Sequence, residues 1–360
     1  MFFYVSYLFL ISIIILILNN IKIKKIRFIQ STILFLSLFT VIGMRDVSIG
    51  NDTISYVYFY ENLNLDYLQG VFNIYYEKGY ILLNIIVKFF SNIPQSIIFV
   101  TAFLEAILIT LFLKNNSKNL AFSFYLFVTL LFLMDSMNII RQVIAVFISI
   151  NGFKYIKKRE FLKYFICIMI AISFHKTAII MLPIYWIYGV KFNIKRTLNL
   201  SFVGILIFLF INKFFSIISI FMNQYSGYQE RIGSNKLASV MAFFISLTIF
   251  IWGIICDLKL KKADEKNKDY NKVNDYLNYI ILIALIINFL SIKMNILGRF
   301  NLYFEIYYLI YIPNNIFFIK NKKVKILMIY IVLVLTLLYF ITIMTLRPEW
   351  YNSIPYVFYR

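Results

Sequence analysis

The chain has 360 residues, 62% of them hydrophobic and 14% charged, with a mean hydropathy of +0.81. A chain this apolar does not stay in water as a folded globule, which excludes a soluble enzyme or binding domain. The formal net charge of +20 lies in short loops between apolar runs; it therefore excludes a nucleic-acid binder and instead reports which ends of the spans face the cytoplasm.

A hydrocarbon core about 30 Å thick takes roughly 20 apolar residues per helix, and lipid leaves the backbone no alternative to helix in such a chain. In chain order, spans are expected near 2–18, 28–44, 96–113, 119–134, 139–156, 161–174, 177–190, 197–216, 237–256, 275–292, 299–319 and 326–345. The expected fold is thus an all-α integral membrane protein of about 12 transmembrane helices in one polytopic domain, 1–360. Stretch 2–18 lacks a basic segment before it and a small-residue cleavage site after it, so it is an anchor with its N-terminus outside. Residues 79–91 are short, carry Lys88 and run into Pro94, which suits a re-entrant or interfacial helix. Basic clusters at 19–27, 114–118, 154–163, 191–196, 257–273 and 320–325 hold 24 of the 36 Lys and Arg residues and mark the cytoplasmic side. Segments 45–78, 135–138, 217–236 and 346–360, and both termini, then lie outside. A rival topology lets 79–91 cross and merges 161–190 into one tilted span; it evens the basic split to 18 against 18 and removes the asymmetry.

Function is sought among the charges on the outer side. The first outer loop runs Gly43-Met44-Arg45-Asp46, then Gly50-Asn51-Asp52-Thr53 to Tyr56, then Glu77-Lys78-Gly79-Tyr80. Asp52 is expected to N-cap a short helix starting at Thr53, or to stand with Arg45 and Glu77 in the mixed-charge floor of an outward cavity. Tyr56, Tyr58, Tyr60, Tyr67, Tyr75 and Tyr76 suit either sugar stacking or an interfacial aromatic belt. Arg141 follows Asn138 and precedes Gln142 at the outer end of an apolar helix. Its planar fork suits phosphate oxygens; the alternative is an ion pair with Asp135 or Glu105. His175, the single histidine, stands in Ser173-Phe174-His175-Lys176-Thr177 where two apolar runs meet. It is either a hydrogen-bonded structural residue or a general base. One histidine without clustered carboxylates or cysteines does not make a metal site, and Cys167 and Cys256 are buried thiols in apolar runs. No metal and no cofactor are expected. Arg299 opens a span that contains Tyr303 and Glu305, nearly two turns on, so pairing with Glu305 would be strained. Several cations converging from distant parts of the chain on one face point to a polyanionic, lipid-linked ligand.

With these pieces in order, from Gly43–Arg45, Gly50–Asp52, Thr53 and Tyr56 through Glu77–Tyr80, Asn138–Gln142 with Ala145, Phe174-His175 with Thr177 and Ala178, and Arg299 with Tyr303 to Ile354–Tyr356, the chain resembles the EpsG-like branch of the Wzy-type polysaccharide polymerases. Lys176 departs from the pattern, which more typically has a small residue there. The resemblance implies a bacterial glycosyltransferase of the cytoplasmic membrane with a GT-C-type fold. It would join undecaprenyl-diphosphate-linked oligosaccharide repeats into O-antigen, capsule or exopolysaccharide, alongside a flippase and a chain-length regulator. On that reading His175 is the first choice of base, with Asp52 or Glu77 second. Arg45, Arg141 and Arg299 bind the diphosphate, and Gln142, Tyr56 and Lys176 contact substrate. A flippase of lipid-linked oligosaccharide, or a glycan ligase or acyltransferase, remains open as an alternative.

Overall fold

The computed structural model describes residues 1–19, 21, 25–64, 76–221, 236–263 and 268–359. Tyr67, Tyr75, most of the expected outer loop 217–236 and part of the cytoplasmic loop 257–273 lie outside the described residues. Every regular element described is helical; extended pairing is confined to an antiparallel bridge between Arg45 and Phe358. The chain forms two compact units, one of Met1–Leu182 with Lys320–Arg360 and one of Pro183–Ile319.

The first unit contains helices α1 (Phe2–Asn19), α2 (Ile26–Gly43), α3 (Thr53–Glu61), α4 (Lys78–Phe90), α5 (Gln95–Asn116), α6 (Leu120–Thr129), α7 (Phe132–Asn138), α8 (Ile140–Asn151), α9 (Phe153–Lys158) and α10 (Phe161–Phe174). A 3-10 helix, Lys176–Ile187, leads out of it. The second unit contains α11 (Ile194–Phe221), α12 (Lys236–Ala263), α13 (Lys268–Ser291), α14 (Gly298–Glu305) and α15 (Tyr308–Phe318), and α16 (Lys322–Leu346) returns to the first. Asparagines open two of the helices: Asn119 accepts from the Phe122 N–H, and Asn321 from those of Lys323 and Val324.

Among the described residues six helices are long and apolar enough to cross a membrane, and the α6–α7 pair makes a seventh if its 60° bend lies within one span. The protein is a multi-pass membrane protein, with six or seven such helices where hydropathy suggests twelve spans. The difference has local causes. The 119–134 run bends at Leu131, which takes φ 70°. The 139–156 run breaks at Gly152 into α8 and α9, and the 177–190 run is wound as a 3-10 helix through Pro183. The 299–319 run is interrupted between α14 and α15. Hydropathy averages over each of these interruptions.

The two ends of the first unit differ chemically. At one end Arg27 donates through Nε and Nη2 to the Lys114 carbonyl at 3.0 and 2.8 Å, and Lys157 Nζ donates to Asn116 Oδ1 at 2.9 Å. Here three of the basic clusters gather. At the other end Gln95 Nε2 donates to the carbonyls of Gly43 and Arg45 at 2.8 and 2.9 Å, tying the end of α2 to the start of α5. The expected outer pieces collect at this second end. Helix α4, at 13 residues about 20 Å long, leaves it at Glu77 and leads back to it at Gln95. Its buried face is Tyr80, Ile81, Asn84 and Val87, while Leu82, Ile86, Phe89 and Phe90 stay exposed for lipid.

In the second unit buried polar side chains hold the helices together, as membrane helices require when apolar surface gives no preference over lipid. Asp257 on α12 accepts from Asn274 and Asn278 on α13, and Asn278 Oδ1 accepts from the Tyr311 hydroxyl at 2.6 Å. Further along, Asn288 donates to Ser246 Oγ at 2.5 Å and to Glu305 Oε1 at 2.7 Å, and Tyr308 donates to Ser246. Glu305 is thus held by Asn288 and by Asn301, which donates at 3.0 Å.

Candidate functional site

Glu77 is the centre of a charged cluster in the first unit. It precedes α4, and its carboxylate accepts a charge-assisted hydrogen bond from Arg141 Nη1, near the start of α8. Its other oxygen lies 3.3 Å from His175 Nδ1 and accepts from the Lys176 N–H at 3.3 Å. Three chain segments, the second and third each more than thirty residues beyond the one before, therefore meet on one carboxylate. The side chains are 9% (Glu77), 17% (Arg141) and 24% (His175) exposed, so the cluster is sheltered but open on the histidine side. Helix α10 ends at Phe174 because His175 turns to an extended backbone, with its N–H capping the Ala171 carbonyl. That turn aims the imidazole at Glu77.

An aromatic box surrounds Arg141. Its guanidinium carbon lies 4.5 Å from the Tyr76 ring centre, 5.7 Å from Tyr56 and 6.0 Å from Tyr80. Tyr56 and Tyr80 are buried with Phe59, Ile81, Ile140 and Ile144. Tyr56, expected to contact substrate, instead packs inside and faces the guanidinium. Burial raises the Tyr76 hydroxyl pKa; Arg141 opposes this, while the charges of Asp52 and Glu77 add to it. Asp52 therefore belongs to the same neighbourhood. It does sit before a helix that starts at Thr53, as expected, but its side chain makes no capping bond. It is exposed, and its N–H donates to Asn138 Oδ1 at 3.2 Å.

The loop that carries Asp52 is fixed from two sides. Gly50 has φ +90°, and a Cβ there would stand 2.1 Å from the Met137 carbonyl, so only glycine lets the loop approach α7. Thr53 Oγ1 donates to the carbonyls of Ile49 and Met137 at 2.6 and 3.1 Å. From the other side comes the C-terminal segment. Asn51 donates to the carbonyls of Glu349 and Trp350, Asn352 to that of Ser48, Tyr4 to that of Ser353, and Tyr356 to that of Val41. This segment is a strap across the loop.

Arg45 departs most from expectation. It is fully buried, donates to the Ile42 carbonyl, and has Glu105, also fully buried, as the chief opposite charge acting on it. Tyr4, Tyr80 and Tyr356 close around it. Glu105 acts on Arg45 only through its charge, because the two form no salt bridge and both Glu105 oxygens are buried without a hydrogen-bond partner; Arg141 pairs with Glu77 rather than with Glu105 or Asp135. Gln142 is buried in α8. Arg299 starts α14 in the second unit. Lys176 is exposed beside His175. The sequence singled out Glu77, Arg141 and His175 separately; their joining on one carboxylate and the tyrosine box were not read from it. Among the described residues no group of three or more His, Cys, Asp or Glu could hold a metal ion.

Two predictions arise here. Burial pushes the Glu77 carboxyl up, but His175 and the Arg141 charge outweigh it and hold the pKa at about 2, against 4.5 ordinarily. At that pKa Glu77 is a weak base. A depressed carboxyl pKa stabilises the fold above the unfolded value and loses that effect as pH falls through the folded one. Ionised Glu77 is therefore expected to contribute at most about 3 kcal/mol at neutral pH, lost between pH of about 4.5 and 2. Melting wild type and Glu77→Gln in detergent across pH checks it: the gap should be constant near neutrality and close below pH of about 4.5. The second concerns Gly79, where a Cβ would lie 2.2 Å from Ser173 Oγ and 2.7 Å from the Ser173 carbonyl. Gly79→Ala should destabilise by about 1–3 kcal/mol, and adding Ser173→Gly should recover only part, because the carbonyl stays. Full recovery in thermal melts would contradict the backbone clash.

A family model described as the EpsG family matches residues 28–358, nearly the whole chain. No curated protein and no solved structure matches it.

Proposed function

The chain belongs to the EpsG family, and from that premise we propose that it is a membrane glycosyltransferase that polymerises oligosaccharide repeats carried on undecaprenyl diphosphate. The site would lie at the outer face of the bacterial cytoplasmic membrane, in a GT-C-like fold, and the product would be a surface polysaccharide. The observation that supports this most directly is the Glu77–His175 contact beside Arg141.

In the proposed step, the hydroxyl oxygen of the incoming lipid-linked repeat attacks the anomeric carbon of the growing glycan. The bond from that carbon to the diphosphate oxygen breaks, and undecaprenyl diphosphate leaves with the bonding electrons. The hydroxyl proton passes to His175 Nε2, because Glu77 faces Nδ1 and favours the tautomer that carries its proton there. Arg141 keeps Glu77 ionised and offers its partly open guanidinium to the leaving phosphate. A single displacement inverts the anomeric centre. The fully buried Arg45 supports the fold.

The test is transfer between purified lipid-linked repeats in detergent. A ladder of lengthened products is expected. Movement of repeats across vesicles without any joining would make the protein a flippase instead, and transfer to a different acceptor would make it a ligase or acyltransferase.

A further inference from the structure

The cluster around Glu77 has a charge balance that bears on its ligand. Arg141 is matched by Glu77, and Arg45 is fully buried. Neither arginine adds net positive charge where an anion would dock. Two other cations do. Lys78 follows Glu77 and Lys176 follows His175, so both leave the backbone next to residues that touch each other at 3.3 Å. Both are exposed, and neither ammonium has a partner among the described residues. Their anchor points are rigid relative to each other, because Gly79 lets the first turn of α4 press directly on Ser173 at the end of α10. The Lys176 N–H is itself held by Glu77 at 3.3 Å. Glu77 turns its carboxylate to Arg141 and His175 and makes no capping bond to α4.

We infer that Lys78 and Lys176 together bind the diphosphate of the lipid-linked substrate, as the pair of free positive charges beside His175. The inference rests on the polymerase reading. A diphosphate esterified at both ends carries one negative charge on each phosphate, and two point ammoniums on short flexible stems balance it. Both ammoniums are exposed, so a headgroup can reach them. The leaving group is then held beside the imidazole that takes the acceptor proton.

The test uses the full-length protein in detergent with a prenyl diphosphate, a prenyl monophosphate and inorganic diphosphate as probes. Wild type should bind the prenyl diphosphate more tightly than the monophosphate, with an affinity that falls as salt rises. Inorganic diphosphate should compete, which separates headgroup recognition from capture of the tail. The variant Lys78→Gln/Lys176→Gln should bind roughly 10- to 100-fold more weakly and lose most of the salt dependence. Lys78→Arg/Lys176→Arg should keep most of the affinity, and both variants should melt with wild type because the side chains are exposed. Undiminished binding by the Gln variant overturns the inference while leaving the polymerase reading intact. If wild type binds no prenyl diphosphate and transfers no repeats, both fall together.

Discussion

His175→Gln is expected to remove chain elongation almost completely, by roughly a hundred- to ten-thousandfold, while insertion, yield and melting temperature stay close to wild type. The ring is partly open to solvent and contributes little packing, so the change is tolerated structurally. Glutamine can still face Glu77 with an amide hydrogen, but it cannot take a proton near neutral pH. His175→Ala should behave alike. The measurement is the rate of joining purified lipid-linked repeats at matched protein concentration. Near-normal joining by the Gln variant would reduce His175 to a scaffold residue and shift the base to Asp52, the nearby carboxylate that is exposed.

Glu105→Ala should destabilise the protein by about 2–5 kcal/mol, because it opens a cavity at a fully buried position and removes the carboxyl group that acts on Arg45. Arg45→Met combined with Glu105→Leu should recover most of that loss, since two apolar side chains of similar volume need no charge compensation. The double variant should also retain transfer activity. Thermal melts and the repeat-joining assay together decide it. A double variant that melts normally yet fails to join repeats would return Arg45 to the substrate, against its burial.

The contrast between these residues shows how far the sequence carries. Arg45, Arg141 and His175 look alike on paper: each is a lone polar residue at the end of an apolar run. Only the arrangement in space separates Arg45, enclosed with Glu105, from the pair around Glu77. Pairings across sixty or more positions leave no periodic trace, so Glu77 appeared in the sequence as one carboxylate among several. Local signals were more dependable. Gly50 and the helix start at Thr53 were both legible, and so was the short helix around 79–91, from its length and Lys88. The span count was not, because hydropathy sums residues and is blind to the left-handed Leu131 or the break at Gly152.

The strap from Glu349 to Tyr359 has a consequence for biogenesis. Its partners in the first loop are separated from it by some three hundred residues, as with Asn51 to Glu349 and Val41 to Tyr356. During synthesis that loop leaves the ribosome long before the segment that pins it exists. The earlier helices are inserted and packed while the loop is held from one side alone, through Met137 and Asn138. Closure over Arg45 and the seating of Asp52 thus wait until the strap has been made, and a chain stalled before Glu349 would be embedded in the membrane yet unfinished where it matters.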